Sequence, residues 1–314
     1  MPVARSVRRP LAAALLALAV LAPAALRASA ATLPPQPPCS VTNQRTTNAV
    51  SSLASAVAGA TGGDTLLVSG FCRGVAVTID KDLTIRGVAT GGYLRGVLTG
   101  TGRDSVLRIP AGRTVTLELL RISGGNVRDT SLGGGITNAG TLTLDRVTVR
   151  RNVAVFGGGI RTSGPLTLVD TVITRNLGLD FGGGLAVTST GSVTMTGWSE
   201  LRANVAGNGA GAWVAGSISI ADDSRLFYNK AGRTAKSPWK SSYGFAGYGG
   251  AIFLEGSMTM SGDAFITLNI AQSRAGAIYW SNKPIVGTWC DLPWSNQNRT
   301  KPSGDPCISG AAKA

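Results

Sequence analysis

The residues that could carry out chemistry in this chain are few, and histidine is not among them. The 314 residues include 16 acidic residues and no histidine. No Ser-His-Asp or Cys-His triad, histidine general base or histidine-ligated zinc site can therefore be assembled. Asp222 and Asp223 form the one acidic pair that could act as a carboxylate cluster, while Asp145, Asp170 and Asp263 occupy similar places after short strand-like segments. Aspartate also caps backbone groups in turns, so a structural role is the competing interpretation.

A second candidate site lies in a basic and aromatic segment at residues 230–248. This segment interleaves lysine and arginine with tryptophan, tyrosine and phenylalanine, and it contains no acid. Aromatic planes beside cations suit sugar rings that carry carboxylate or phosphate groups. The residues predicted to bind such a ligand are Lys236, Trp239, Lys240 and Tyr243. In the alternative interpretation, the rings pack the segment onto the structure beneath it and the lysines are simply solvated.

The four cysteines lie in two pairs near the ends of the chain. Cys39 and Cys72 form the first pair and Cys290 and Cys307 the second, with about 218 residues between Cys72 and Cys290. Outside the cytoplasm such pairs are normally oxidised, so we expect a local disulfide at each end, with free buried thiols as the alternative. Because there is neither a histidine nor a Cys-x-x-Cys motif, we expect no metal site and no cofactor.

The first 30 residues have the pattern of a cleaved signal peptide. A charged region with Arg5, Arg8 and Arg9 precedes an uncharged apolar run, and a small-x-small site ends at Ala30. Removing residues 1–30 also removes Arg27 and no acid, so the net charge falls from +14 to +10. We therefore expect a secreted protein without a membrane span after cleavage. Its positive charge favours anionic glycans or cell-wall polymers as partners. Because the protein is expected outside the cell, we do not expect nucleic acid as a partner.

The chain is organised by a repeat in which asparagine and glycine recur together. Asparagines are spaced by 26, 24, 28, 25 and 40 residues, and a Gly/Ala-rich tetrad follows each of them. The last spacing is one ordinary period plus about 15 inserted residues. A fixed period of this length indicates a solenoid, with glycines at sharp corners and asparagines stacked in a hydrogen-bonded ladder. The repeated asparagines are Asn126, Asn152, Asn176, Asn204, Asn229 and Asn269.

Short alternating segments lie between each tetrad and the next asparagine. They combine polar and apolar residues, many of them β-branched, and begin at a glycine, which is typical of half-buried strands. No helical period accompanies them. Because equivalent strands in successive coils of about 25 residues run in the same direction, we predict an all-β parallel β-helix with three strands and three turns in each coil. The segments are residues 140–144, 164–168, 191–195, 216–220 and 256–260.

The combination of apolar-x-x-Asn with Gly-Gly-Gly/Ala-Ile resembles the repeats of chlamydial polymorphic outer membrane proteins and of related secreted proteins in the pectin-lyase-like superfamily. The resemblance covers roughly residues 60–285. It implies a right-handed parallel β-helix solenoid. Because the sequence contains no β-barrel translocator region after the repeats, we do not expect an autotransporter passenger.

The same resemblance implies closed ends for the solenoid. Apolar residues at 50, 53, 54 and 57 have helical spacing and would form an N-terminal capping helix, which a Cys39–Cys72 disulfide would attach. The expected organisation is a signal peptide at 1–30, a Pro-rich segment and N-terminal cap with helix at 31–63, the parallel β-helix at 64–285, and a C-terminal cap and tail at 286–314.

Two classes of function follow from these features. Enzymes of the superfamily cleave uronic-acid polymers, the lyases with Ca²⁺-binding aspartates and an arginine base, the hydrolases with clustered aspartates. The Asn-Thr-Asp, His-Gly and Arg-Ile-Lys elements of the hydrolases are not found in this sequence. We therefore expect a non-catalytic protein of the cell surface or extracellular space that binds anionic polysaccharide. The alternative is a polysaccharide lyase acting on acidic glycans, with Asp222 and Asp223 in its site.

Overall fold

Alternating apolar and polar residues give many strands of this chain one side for a core and one side for solvent. In the computed structural model, these strands form a parallel β-solenoid of about seven turns, and helix makes up 3% of the structure. The structure describes residues 36–93, 95–129, 131–232, 247–273 and 275–281, with strands at 299–300 and 308–310. The predicted signal peptide at 1–30 lies outside these residues.

The strands build four sheets, which we number in the order in which the chain visits them within a coil. Neighbours pair in parallel, except that Ser40–Asn43 pairs antiparallel with Ala49–Val50 and Thr65–Ser69. Sheet 1 contains Ala49–Val50, Ser40–Asn43, Thr65–Ser69, Leu83–Gly87, Thr114–Glu118, Thr141–Asp145, Pro165–Val169, Ser192–Thr196, Ser217–Ile220 and Ser257–Met260. Sheet 2 contains Phe71–Val75, Gly96–Gly100, Leu120–Ser123, Thr148–Arg150, Val172–Thr174, Glu200–Arg202, Arg225–Phe227 and Phe265–Thr267.

Sheets 3 and 4 complete each coil. Sheet 3 contains Val153–Phe156, Leu177–Phe181, Val205–Asn208, Lys230–Ala231, Ile270–Ala271 and Arg299–Thr300. Sheet 4 contains Val77–Thr78, Leu107–Ile109, Ile136–Asn138, Ile160–Thr162, Leu185–Val187, Ala212–Val214, Ile252–Leu254, Ile278–Trp280 and Ile308–Gly310. The parallel pairing thus continues past residue 285, through the strands at 299–300 and 308–310.

The number of strands in each coil differs from the prediction. Three strands were expected, but from Val153 onward each coil has a fourth, which belongs to sheet 3 and directly follows the ladder asparagine. These strands escape a search for alternation because small residues such as Gly178 and Ala206 occupy them and because the pairing shifts register within the sheet.

The core consists of columns of apolar side chains that stack from coil to coil. Leu142 pairs in register with Leu166, which in turn pairs with Val193. In sheet 4, Ile136 pairs with Ile160 and Ile160 with Leu185, and all three are fully buried. Equivalent atoms in adjacent parallel strands are about 4.8 Å apart, so each inward side chain packs on its counterpart in the next coil.

A ladder of buried asparagines runs along the corner between sheets 2 and 3. In each step, the side-chain oxygen of one asparagine accepts hydrogen bonds from both the backbone N–H and the side-chain amide of the asparagine one coil before. For Asn176 and Asn204 these bonds measure 3.0 and 3.1 Å. The amide of Asn204 also donates to the carbonyl of Ile173 at 2.9 Å. The ladder comprises Asn152, Asn176, Asn204, Asn229 and Asn269, each at most 1% exposed.

Asn126 is not part of this ladder, contrary to the prediction. It pairs with Val153, one position past the ladder, whereas Gly125 donates its backbone N–H to the side-chain oxygen of Asn152 at 2.9 Å. The spacing of 26 residues hid this shift because coil lengths vary by several residues.

The Gly-rich tetrads allow adjacent coils to approach closely at the corner between sheets 3 and 4. A Cβ atom on Gly158 would lie 2.4 Å from the carbonyl oxygen of Leu177, a distance that no side chain tolerates. Gly157, with φ of +64°, turns the chain at the same corner. The tetrads therefore belong to the scaffold.

The N-terminal segment contains a disulfide, a short helix and a buried carboxylate. Cys39 and Cys72 are bonded, as expected, with their Cα atoms 4.5 Å apart. The helix covers Leu53–Gly59 and buries Leu53, Ala56 and Val57, so it is shorter than the predicted helical pattern, which began within the strand Ala49–Val50. Cys290 and Cys307 lie outside the described residues.

Asp64 connects the elements of this segment. Its carboxylate accepts hydrogen bonds from the Asn43 amide at 2.7 Å, the Arg45 guanidinium at 2.6 Å and the Thr61 backbone N–H at 2.9 Å. These bonds, chiefly that from Arg45, hold the pKa of Asp64 well below its usual 3.8.

We expect Ile160→Asp to unfold or aggregate the protein, because it places a charge inside the stack at a cost of several kcal/mol. The control Ile160→Val removes one methylene and should cost only about 1 kcal/mol. Chemical denaturation monitored by circular dichroism measures both. A soluble Ile160→Asp variant with wild-type stability would mean that Ile160 does not face the core.

Asn204→Ala should lower the free energy of unfolding by roughly 3 kcal/mol or more, because it removes the acceptor of two buried Asn176 N–H groups and the side-chain donor to the Ile173 carbonyl. Asn126→Ala, outside the ladder, is the matched control and should cost clearly less. Equal losses in the two variants would contradict the ladder's stabilising role.

Asp64→Asn should destabilise the protein at neutral pH and progressively less as the pH falls. A carboxyl whose pKa is depressed in the folded state contributes stability above its unfolded pKa of about 3.9, and that contribution is lost as the pH drops below this value. Melting temperatures of both proteins between about pH 7 and pH 2.5 provide the test. A difference that is independent of pH would contradict it.

Candidate functional site

The outer face of sheet 2 collects basic side chains from successive coils. Outward positions alternate with buried ones along each strand, so Val149 and Leu201 enter the core while Arg150 and Arg202 face outward. The register places Arg150 and Arg202 in one column, separated by Thr174. Arg121 lies in the neighbouring column, paired with Thr148.

The corner after sheet 2 adds two more arginines. Arg151 and Arg175 each precede a ladder asparagine and have φ of +54° and +55°, so their side chains leave the corner from equivalent positions. The backbone N–H of Arg151 donates to the carbonyl of Arg175 at 3.2 Å, which places them on adjacent coils. Both are exposed.

We call these five residues the arginine face. It spans four consecutive strands of sheet 2, which are about 4.8 Å apart, and each of these coils contributes at least one arginine. Within the described strands of sheet 2, Glu200 is the one acidic residue, and it pairs with Arg202 at 2.8 Å. The face therefore keeps an excess of positive charge. Its members are Arg121, Arg150, Arg151, Arg175 and Arg202.

The guanidinium groups are close enough to perturb one another. Partial burial lowers the pKa of Arg150, and the charges of the other four arginines of the face lower it further. Arginine stays protonated at physiological pH, so this repulsion persists in the free protein. A bound anion would relieve it, which makes the face a preorganised site for negative charge.

The acidic side chains considered in the sequence lie at the opposite edge of sheet 2, in the turns that enter it from sheet 1. Asp170 accepts a hydrogen bond from the Trp198 backbone N–H at 2.9 Å, and Asp222 accepts one from the Gly197 N–H at 2.8 Å. Both aspartates have positive φ. These bonds tie successive turns together, in keeping with the structural role considered above.

The remaining acids do not gather around this turn. Asp145 pairs with Arg146 at 2.8 Å, Asp223 is half-buried, and Asp263 is exposed three coils beyond Asp170 along the same edge. Among the residues described, no three acidic, cysteine or histidine side chains form a group that could hold a metal ion.

Arg202 and Arg225, which lie in the strands that follow the turns of Trp198 and Asp222, do not form ion pairs with these aspartates. Arg202 pairs with Glu200. The Arg225 guanidinium lies over the rings of Trp198, at 4.5 Å, and Phe265, at 5.3 Å.

The ligand-binding residues predicted from the sequence belong to the inserted segment at residues 230–248. Lys236, Trp239, Lys240 and Tyr243 lie outside the described residues. At the edges of the insertion, Lys230 is exposed, and the Tyr248 ring stacks on Tyr279 with centroids 4.5 Å apart.

The arginine face was missed in the sequence although its signal was present. In the motif apolar-x-x-Asn, the apolar residue faces the core and the two x positions face outward. These positions read Arg-Arg before Asn152, Thr-Arg before Asn176 and Arg-Ala before Asn204. Aligning the repeats and reading only the x positions would have found four of the five members of the face at once, all but Arg121.

The scaffold and its charged face define the molecule as a parallel β-solenoid with a basic lateral surface. Comparison of the chain with protein-family models, with curated proteins and with solved structures found no match. Within the described part of the chain, no helix has the length and apolar character needed to cross a membrane.

Proposed function

We propose that this chain is a secreted, non-catalytic β-helix protein that binds anionic polysaccharide at the cell surface or in the extracellular space. The observation that carries the proposal is the arginine face, in which five arginines from four consecutive coils share a surface with one acid. A rigid row of cations matches a ligand with many negative groups better than a small anion, because each coil adds one contact to the same extended ligand.

Several finer features belong to the same proposal. Residues 1–30 act as a signal peptide, and the disulfide Cys39–Cys72 fits an oxidising compartment. The solenoid is right-handed and related to the pectin-lyase-like repeats, and the helix Leu53–Gly59 covers its N-terminal end. The inserted segment, with Lys236, Trp239, Lys240 and Tyr243, provides a further contact for the glycan.

The alternative of a polysaccharide lyase has less support. It requires carboxylates and a basic residue that converge on a substrate, with Asp222 and Asp223 as the acidic pair. The Asp222 carboxylate instead accepts a hydrogen bond from the Gly197 backbone N–H, and the Arg225 guanidinium lies over the rings of Trp198 and Phe265.

We expect the triple variant Arg150→Gln, Arg151→Gln, Arg175→Gln to weaken binding of an anionic polysaccharide about 10- to 100-fold. Each solvent-exposed charge contact contributes roughly 0.5–1 kcal/mol. Glutamine keeps much of the side-chain length and removes only the charge. Isothermal titration with heparin at low and physiological salt measures the effect, and wild-type binding should weaken as salt rises.

The matched control is Arg103→Gln, Arg113→Gln, Arg128→Gln, which removes the same charge from exposed arginines outside the face. It should bind nearly as tightly as the wild type. Equal losses of affinity in the two triple variants would mean that binding depends on net charge and not on the arginine face. No binding by the wild type at low salt would refute the proposal.

A further inference from the structure

The outer surface of sheet 2 changes character along the solenoid. The corner position that holds Arg151 and Arg175 holds Ala203 in the next coil and then Tyr228, with φ between +53° and +56° throughout. In the column of Arg150 and Arg202, the next residue is Phe227. Aromatic side chains therefore replace arginine in the same columns as the chain proceeds.

These aromatic residues form a patch around Arg225. Phe265 pairs with Arg225 across the sheet, and the rings of Phe227 and Tyr228 lie 5.3 Å apart at 65°. Trp198 lies in the turn before the strand Glu200–Arg202, at the opposite edge of the sheet from Tyr228. We call Trp198, Phe227, Tyr228 and Phe265 the aromatic patch.

Two rings of the patch are directed largely to solvent. Trp198 is 59% exposed and Tyr228 is 58% exposed, whereas most large apolar side chains of the described chain are buried. Exposed aromatic rings beside a charged surface are suited to contact a ligand that has both apolar faces and charged groups. Neither side chain packs in the stacked core, so the fold does not explain why these two positions are aromatic.

Arg225 supplies charge within the patch. The rings of Trp198 and Phe265 hold its guanidinium by cation–π contacts. Among the described residues, no acid forms an ion pair with Arg225. Its positive charge therefore lies beside the exposed ring of Trp198 without a neutralising ion pair among these residues.

We propose that the aromatic patch is a sugar-stacking subsite that continues the arginine face, so that one glycan chain lies along the solenoid axis across both. The charged groups of the glycan contact the arginines, and the apolar faces of its sugar rings contact Trp198 and Tyr228. This inference rests on the proposed function and adds to it a preference for polyanions that are built from sugars. The arginines accept any polyanion, and the rings select those built from sugars.

The test compares three probes in binding titrations: a polyuronate, inorganic polyphosphate of similar charge number, and vesicles of anionic phospholipid. The double variant Trp198→Ala, Tyr228→Ala should weaken polyuronate binding roughly 5- to 100-fold, since each ring contact contributes on the order of 0.5–1.5 kcal/mol. Polyphosphate binding should stay within about twofold, because polyphosphate has no ring faces. The matched control Trp198→Phe, Tyr228→Phe keeps both rings and should retain most of the polyuronate affinity.

The outcomes separate the two proposals. If the double alanine variant binds polyuronate as the wild type does, the aromatic subsite is refuted and the arginine face stands. If the alanine changes weaken polyuronate and polyphosphate equally, the rings do not select for sugars. If they weaken only vesicle binding, the patch contacts lipid, and the subsite is again refuted. If the wild type binds no polyanion, both proposals fail together.

Discussion

The parallel register between successive coils is the constraint on which the rest of this structure depends. Each strand pairs with its counterpart one coil away, so every residue is repeated in space at about 4.8 Å by the residue at the equivalent position. Most inward positions are therefore apolar in successive coils, and where an inward column turns polar, as at Asn138 and Thr162, the adjacent side chains hydrogen-bond to each other. The asparagine ladder adds a polar form of the same rule, because the amide of each asparagine is satisfied by the next.

The same register turns outward positions into extended surfaces. A residue type that recurs outward becomes a row of equal chemical groups, held on a rigid scaffold without any dedicated loop. The arginines of sheet 2 form such a surface. Their positive charges repel one another, and the paired strands hold their Cα atoms in place in spite of that repulsion. In the same columns arginine is replaced by aromatic side chains further along the chain, so the two ends of this surface differ in chemistry.

The sequence predicted those features that the register makes periodic. The asparagines, the Gly-rich corners and the alternating strands of sheet 1 all recur, and together they indicate a parallel β-solenoid. Asn126 was wrongly assigned to the ladder because it is an asparagine at nearly the right spacing, although it lies one position past the ladder. The fourth strand was missed because small residues hide its alternation. The arginine face was missed because outward positions vary from coil to coil. The acidic pair Asp222 and Asp223 was singled out by residue type alone, whereas its role depends on its hydrogen-bond partners.

The central claim is that the arginine face contacts an anionic glycan, and arginine-selective labelling tests it most directly. Phenylglyoxal modification of the folded protein, mapped by mass spectrometry with and without bound polysaccharide, reports each guanidinium separately. The ligand should protect Arg121, Arg150, Arg151, Arg175 and Arg202, whereas Arg103, Arg113 and Arg128 should react at unchanged rates. Protection of the second group without the first, or equal reactivity of all eight with and without ligand, would contradict this claim.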